Sequence, residues 1–157
     1  LRFPRCAEAM CEPPPSPAAE RVRSAEGEHI LVVEDQLQLR KWLGRQLRRF
    51  GYHVHEAAES GAALRYLASP DRIDLVLTDV VLPGRAGGLA GGIDVCRAAL
   101  ARNPAPALVL MTGHAAGILQ KMAGELAEVP VLRKPIEPAA LSHTLRAALA
   151  QRVATST

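Results

Sequence analysis

The chain has 157 residues, of which 48% are hydrophobic and 22% charged, a composition that fits one domain with a full core and excludes two of ordinary size. Aromatic residues make up only 3%, so the core must be Leu, Val, Ile and Ala, which suits α/β layers better than an aromatic-rich β-sandwich. The net charge is +3, and much of the basic excess falls on Arg40, Lys41, Arg45, Arg48 and Arg49 of one predicted helix, where a solvated polar face explains it without nucleic acid.

Residues 1–28 carry the Pro13-Pro14-Pro15-Ser16-Pro17 cluster and mixed charges without a sustained apolar period, the composition of a flexible linker. The amino terminus lacks the basic-then-apolar order of a secretory signal, and no apolar run reaches the roughly 18 residues that cross a bilayer, so no membrane contact and a cytoplasmic location are expected. Cys6, Cys11 and Cys96 are an odd set, which argues against a disulfide framework, and no further ligands stand near Cys6 and Cys11 to complete a metal site.

The first predicted strand is Ile30-Leu31-Val32-Val33, ending in Glu34-Asp35. A helix over 36–50 follows, with Leu39, Trp42, Leu43, Leu47 and Phe50 on one face and Gly51 as its stop. His53 to Ala57 reads as a second strand, and Ser60 as the N-cap of a helix over 61–69. The stretch 74–83, Asp-Leu-Val-Leu-Thr-Asp-Val-Val-Leu-Pro, is the third strand, an apolar run with one carboxylate set into it at Asp79. A charge buried there costs several kcal/mol unless other groups pair with it.

A glycine-rich loop from Gly84 to Gly92 matches neither G-x-G-x-x-G nor the Walker pattern, and leads to a helix over 93–102. Ala107 to Met111 is the fourth strand, ending in Thr112-Gly113. A helix over 115–126 with Ile118, Leu119, Met122 and Leu126 inward, a short strand over 129–132 closed by Lys134-Pro135, and a helix over 138–152 with Leu141, Leu145, Ala148 and Leu149 inward complete the pattern.

Five strands alternating with five helices predict a doubly wound five-stranded parallel sheet with helices on both faces, and the order 2-1-3-4-5 is one of the two common solutions at this size. Ligands of such sheets bind beyond the carboxyl ends of the strands. There the chain offers Glu34 and Asp35, Asp79, Thr112 and Lys134. Three acids together need a cation, and a hard divalent ion, Mg²⁺, is the economical one. A carboxylate beside Mg²⁺, an ammonium and a hydroxyl has what in-line phosphoryl transfer to an aspartate requires, with Asp79 as nucleophile.

These motifs, Ile30 to Asp35, Leu75 to Pro83, Met111-Thr112-Gly113 and Leu132-Arg133-Lys134-Pro135, resemble those of the receiver domain of two-component response regulators, over residues 29–152 with a tail at 153–157. The resemblance implies a flavodoxin-like (βα)5 fold. It also implies an Asp79 that takes a phosphoryl group from a histidine kinase or histidine phosphotransfer domain, and Mg²⁺ held by Glu34, Asp35, Asp79 and the Val81 carbonyl. Lys134 and Thr112 would contact the phosphoryl oxygens. A homodimer is compatible with it.

Three departures stand out. The place of an aromatic side chain two residues before the lysine is taken by Leu132, the 84–92 loop is long, and only five residues follow Arg152. With the proline-rich lead, this last point leads to the expectation of a carboxyl-terminal receiver of a hybrid sensor kinase. The other readings are a stand-alone regulator, a phosphorylation-independent binding module that should have lost an acid or the lysine, and a hydrolase using the same acids.

Overall fold

A computed structural model describes residues 27–83, 91–113, 124 and 126–155. The strands are β1 (His29–Val33), β2 (His53–Ala57), β3 (Leu75–Asp79), β4 (Ala107–Thr112) and β5 (Val131–Arg133), and the helices are α1 (Leu37–Arg49), α2 (Ser60–Ala68), α3 (Gly91–Leu100) and α4 (Pro138–Thr155). All five strands are parallel in the order β2-β1-β3-β4-β5, as predicted. Most of the helix expected over 115–126 lies outside the described residues, and so does most of the 1–28 segment.

Alternation along the strands divides the core in two. Leu31, Val33, Val76, Leu108 and Leu110 face α2 and α3, meeting Ala63, Leu67, Val95, Cys96 and Ala99. Ile30, Val32, Leu75, Leu77, Val109 and Met111 face α1 and α4, meeting Leu43, Leu47, Leu141, Leu145 and Ala148. Cys96 is a free thiol that burial pushes up to about 12, so it packs as a small apolar side chain.

Gly51 ends α1 as predicted. Its φ is +94°, its amide donates to the Arg48 carbonyl at 3.0 Å, and the Tyr52 amide donates to that of Leu47 at 3.1 Å. This pair of hydrogen bonds is the Schellman stop, which favours a residue without a Cβ at that position.

Two local expectations are corrected. Ser60 is not the N-cap of α2 but its first residue, buried, and its hydroxyl donates to the Pro83 carbonyl at 3.1 Å; Glu59 stands at the cap with no side-chain bond. Gly91 and Gly92 are not loop but the buried first residues of α3. Both glycines are needed for close approach: a Cβ on Gly92 would strike the Asp79 carbonyl oxygen, and one on Gly91 would come within 2.8 Å of the Pro83 carbonyl.

The helix after β5 runs to Thr155, three residues beyond the predicted end. Among the described residues no helix is long and apolar enough to cross a membrane. On α1, Arg40, Lys41 and Arg48 gather around one carboxylate of β2, with Arg48 Nη2 3.0 Å from Glu56 Oε1. Part of the basic face is therefore neutralised within the fold.

Candidate functional site

Because the strands are parallel, their carboxyl ends share one edge, and the residues after β1, β3, β4 and β5 converge there. Glu34 leaves β1 with its amide donating to the Ala57 carbonyl at 3.1 Å and its side chain 0% exposed. Asp79 ends the central β3 and is 6% exposed. Asp35 stands in solvent beside them, and the ligand oxygens of Glu34, Asp35 and Asp79 all lie within 4.8 Å of one another.

Lys134 joins the acids. Its Nζ lies 2.8 Å from Glu34 Oε2 and is also hydrogen-bonded to Asp79 Oδ2. Burial alone would lower the ammonium, but the bonds to Asp79 and Glu34 outweigh it and hold Lys134 above the usual lysine range, firmly charged. Burial pushes the Glu34 carboxyl up, and the bonds from Lys134 and the Gln36 amide offset this only in part.

Thr112 is buried at the end of β4, and its carbonyl accepts the Lys134 amide at 2.9 Å, so the backbone fixes the lysine to the same edge. The Val81 amide donates to Asp79 Oδ1 at 2.8 Å, holding the carboxylate across the turn that follows β3. All five side chains singled out in the sequence therefore lie at one edge of the sheet.

Sequence reasoning missed the backbone and cationic groups that hold them. The Gln36 amide donates to Glu34 Oε1 at 3.1 Å, and Arg40 Nη1 donates to the Glu34 carbonyl at 2.7 Å. Arg40 reads as one more basic residue of α1, and nothing in its spacing marks this contact. The turn after β3 is clamped from both sides, by Ser60 of α2 and by Gly91 and Gly92 of α3.

The β4/β5 register sets Leu132 on the face of the sheet away from Thr112. β4 and β5 pair Leu110 with Val131 and Met111 with Leu132. Leu132 packs with Met111, Leu141 and Leu145 on the α1/α4 side of the sheet. Thr112 follows Met111 and so faces the other side, with Leu110 and Val131. The residues of β5 that share a face with Thr112 are Val131, half-buried and also aliphatic, and Arg133, the exposed register partner of Thr112.

A cation fits the acid cluster. The donor set is three carboxylates, all hard oxygen ligands, which suits Mg²⁺ or Ca²⁺ and not a thiophilic metal.

At the opposite edge of the sheet the carboxylate of Asp74, 3% exposed, receives the His29 amide at 2.8 Å, Arg72 Nε at 2.9 Å and Arg152 Nη1 at 2.8 Å. Burial would raise Asp74, but these three donors outweigh it and hold the carboxyl below its usual range.

The model of the response regulator receiver domain matches residues 30–146. The chain is 31% identical to the response regulator receiver protein CpdR of Brucella abortus, over 68% of this chain and 83% of that protein. It is 33% identical to the aerobic respiration control protein ArcA of Escherichia coli over 76% of this chain, but spans only 46% of ArcA. Among solved structures, a response regulator receiver protein from Sinorhizobium medicae superposes with a TM-score of 0.70 at 27% identity, covering 82% of this chain and 99% of that one.

Proposed function

This chain belongs to the response regulator receiver domain family of two-component systems, and we propose that within it Asp79 is the phosphoacceptor of a histidine-to-aspartate phosphorelay. A carboxylate oxygen of Asp79 attacks the phosphorus of a partner's phosphohistidine. The new O–P bond forms as the P–N bond breaks, and the electron pair leaves with the imidazole nitrogen. The partner is a histidine kinase or a histidine phosphotransfer domain.

The observation that carries this reading is the Lys134 ammonium, hydrogen-bonded to both Asp79 and Glu34 with Asp35 beside them. The bond from the Val81 amide orients the nucleophile, and Lys134 offers its charge to the oxygens of the transferred group. The Thr112 hydroxyl is the further donor to that group. Glu34, Asp35 and Asp79, with the Val81 carbonyl, would hold Mg²⁺, which when bound supplies positive charge to the equatorial oxygens. A hybrid sensor kinase as the wider setting rests on the proline-rich 1–28 composition, and the reading frame around this chain decides it.

The test uses phosphoramidate, whose P–N bond mimics phosphohistidine, with Mg²⁺ in excess. Labelling that stops at one phosphoryl group per chain supports a phosphoacceptor. Sustained hydrolysis of an unrelated phosphoester, with no accumulated adduct, would identify a hydrolase instead.

A further inference from the structure

Away from the acid cluster, three histidines meet on two adjacent strands. His29 of β1 is directly opposite His53 of β2, and His55 follows two residues later, so the three side chains share the face of the sheet that packs on α2. His29 and His53 stack with ring centroids 4.7 Å apart, and His29 and His55 at 5.4 Å. Tyr66 of α2 lies against His55 at 5.6 Å. His29 Nδ1 is 3.1 Å from His55 Nε2.

We propose that His29, His55 and His53 form a site for a borderline divalent transition metal of the Zn²⁺ class, separate from the acid cluster at the other edge of the sheet. A zinc ion about 2.0–2.1 Å from each of two imidazole nitrogens holds them about 3.3 Å apart in tetrahedral geometry, close to the spacing of His29 Nδ1 and His55 Nε2. Two ligands are thus in place on a rigid sheet. A His-x-His pair on one strand and a cross-strand histidine is an arrangement that points several imidazoles at one point. The third ligand is His53, which is exposed and reaches the ion by rotating its side chain, while water fills the remaining position.

Imidazole donors select Zn²⁺, Ni²⁺ or Cu²⁺ over Mg²⁺, so the two sites sort their ions by ligand chemistry. Without the ion, one of the two close nitrogens donates its N–H to the other. On binding, that tautomeric proton moves to the second nitrogen of the same ring, so that both lone pairs face the metal.

The experiment titrates the untagged chain with Zn²⁺ in a large excess of Mg²⁺ by calorimetry, and follows ring-nitrogen chemical shifts by NMR. Expected are binding of one Zn²⁺ retained in Asp79→Asn, an affinity loss of about 100-fold in His55→Gln, at the upper end of what losing even an outer-shell partner costs, and shifts at His29, His53 and His55 with His143 unmoved. Unchanged affinity in His55→Gln, no Zn²⁺ binding by the wild type, or Zn²⁺ binding that leaves these three rings unshifted overturns the proposal. The ring shifts are read on the wild-type chain, so they decide the matter even if His55→Gln folds poorly.

Discussion

Lys134 Nζ sits 2.8 Å from Oε2 of Glu34, a carboxylate with no exposure to solvent, and these partners lie one hundred residues apart in the chain. Removing one member of a buried pair leaves the other charge uncompensated. Lys134→Met should therefore lower stability by about 3 kcal/mol in metal-free urea unfolding. Adding Glu34→Gln should recover part of that loss, because one of the two orphaned charges goes with it while that of Asp79 stays. Additive losses in the double variant would show that the two side chains act independently.

The glycine pair opening α3 sets how closely that helix approaches the turn after Asp79. In Gly92→Ala the new methyl meets backbone on every side, the Asp79 carbonyl and the Val80 carbonyl and Cα, and none of these can swing away. A loss of about 2–3 kcal/mol is expected from this overpacking, together with slower Asp79 phosphorylation. Gly44→Ala in α1 is the control. Its nearest contacts are the ends of the Glu56 and Arg48 side chains, so the change should stay within about 1 kcal/mol of neutral, helped by the better helix propensity of alanine.

The Asp74 carboxyl gives the acid limb of stability a defined sign. Its folded value is depressed below the ordinary 3.8. Its contribution is thus fully present above that ordinary value and is lost as pH falls through the folded one. Asp74→Asn should cost about 1–3 kcal/mol at neutral pH. Urea unfolding at a series of pH values should then show a shallower fall below the ordinary aspartate range in the variant than in the wild type.

Arg102 ties the end of α2 to α3. Its guanidinium donates to the carbonyls of Leu67 at 2.7 Å, Ser69 at 3.2 Å and Asp71 at 2.7 Å. A lysine keeps the charge but loses the planar fork that serves several carbonyls at once. Arg102→Lys should destabilise by about 1 kcal/mol or more, with faster hydrogen exchange at the end of α2 and little change in phosphorylation.

Much of this was legible in the sequence. Short apolar runs alternating with amphipathic segments point to the parallel sheet, with its order as one of two common solutions, and the rule that ligands gather beyond the strand ends places Glu34, Asp35, Asp79, Thr112 and Lys134 together. What could not be read were contacts between a side chain and distant backbone. Ser60 has the residue type of an N-cap, yet its hydroxyl serves Pro83. Gly91 and Gly92 look like loop glycines because the pattern reports flexibility, whereas the structure uses them for close approach. Counting back from the lysine points to Leu132, and only the β4/β5 register reveals that Val131 lies on the face of Thr112 and Leu132 on the other.

The most direct measurement is peptide-mapped mass spectrometry after incubation with acetyl phosphate and Mg²⁺. One hydroxylamine-labile phosphoryl group is predicted, on the peptide containing Asp79 and absent from Asp79→Asn. An adduct that persists in Asp79→Asn, or a correctly folded wild type that takes no phosphoryl group, would contradict the account.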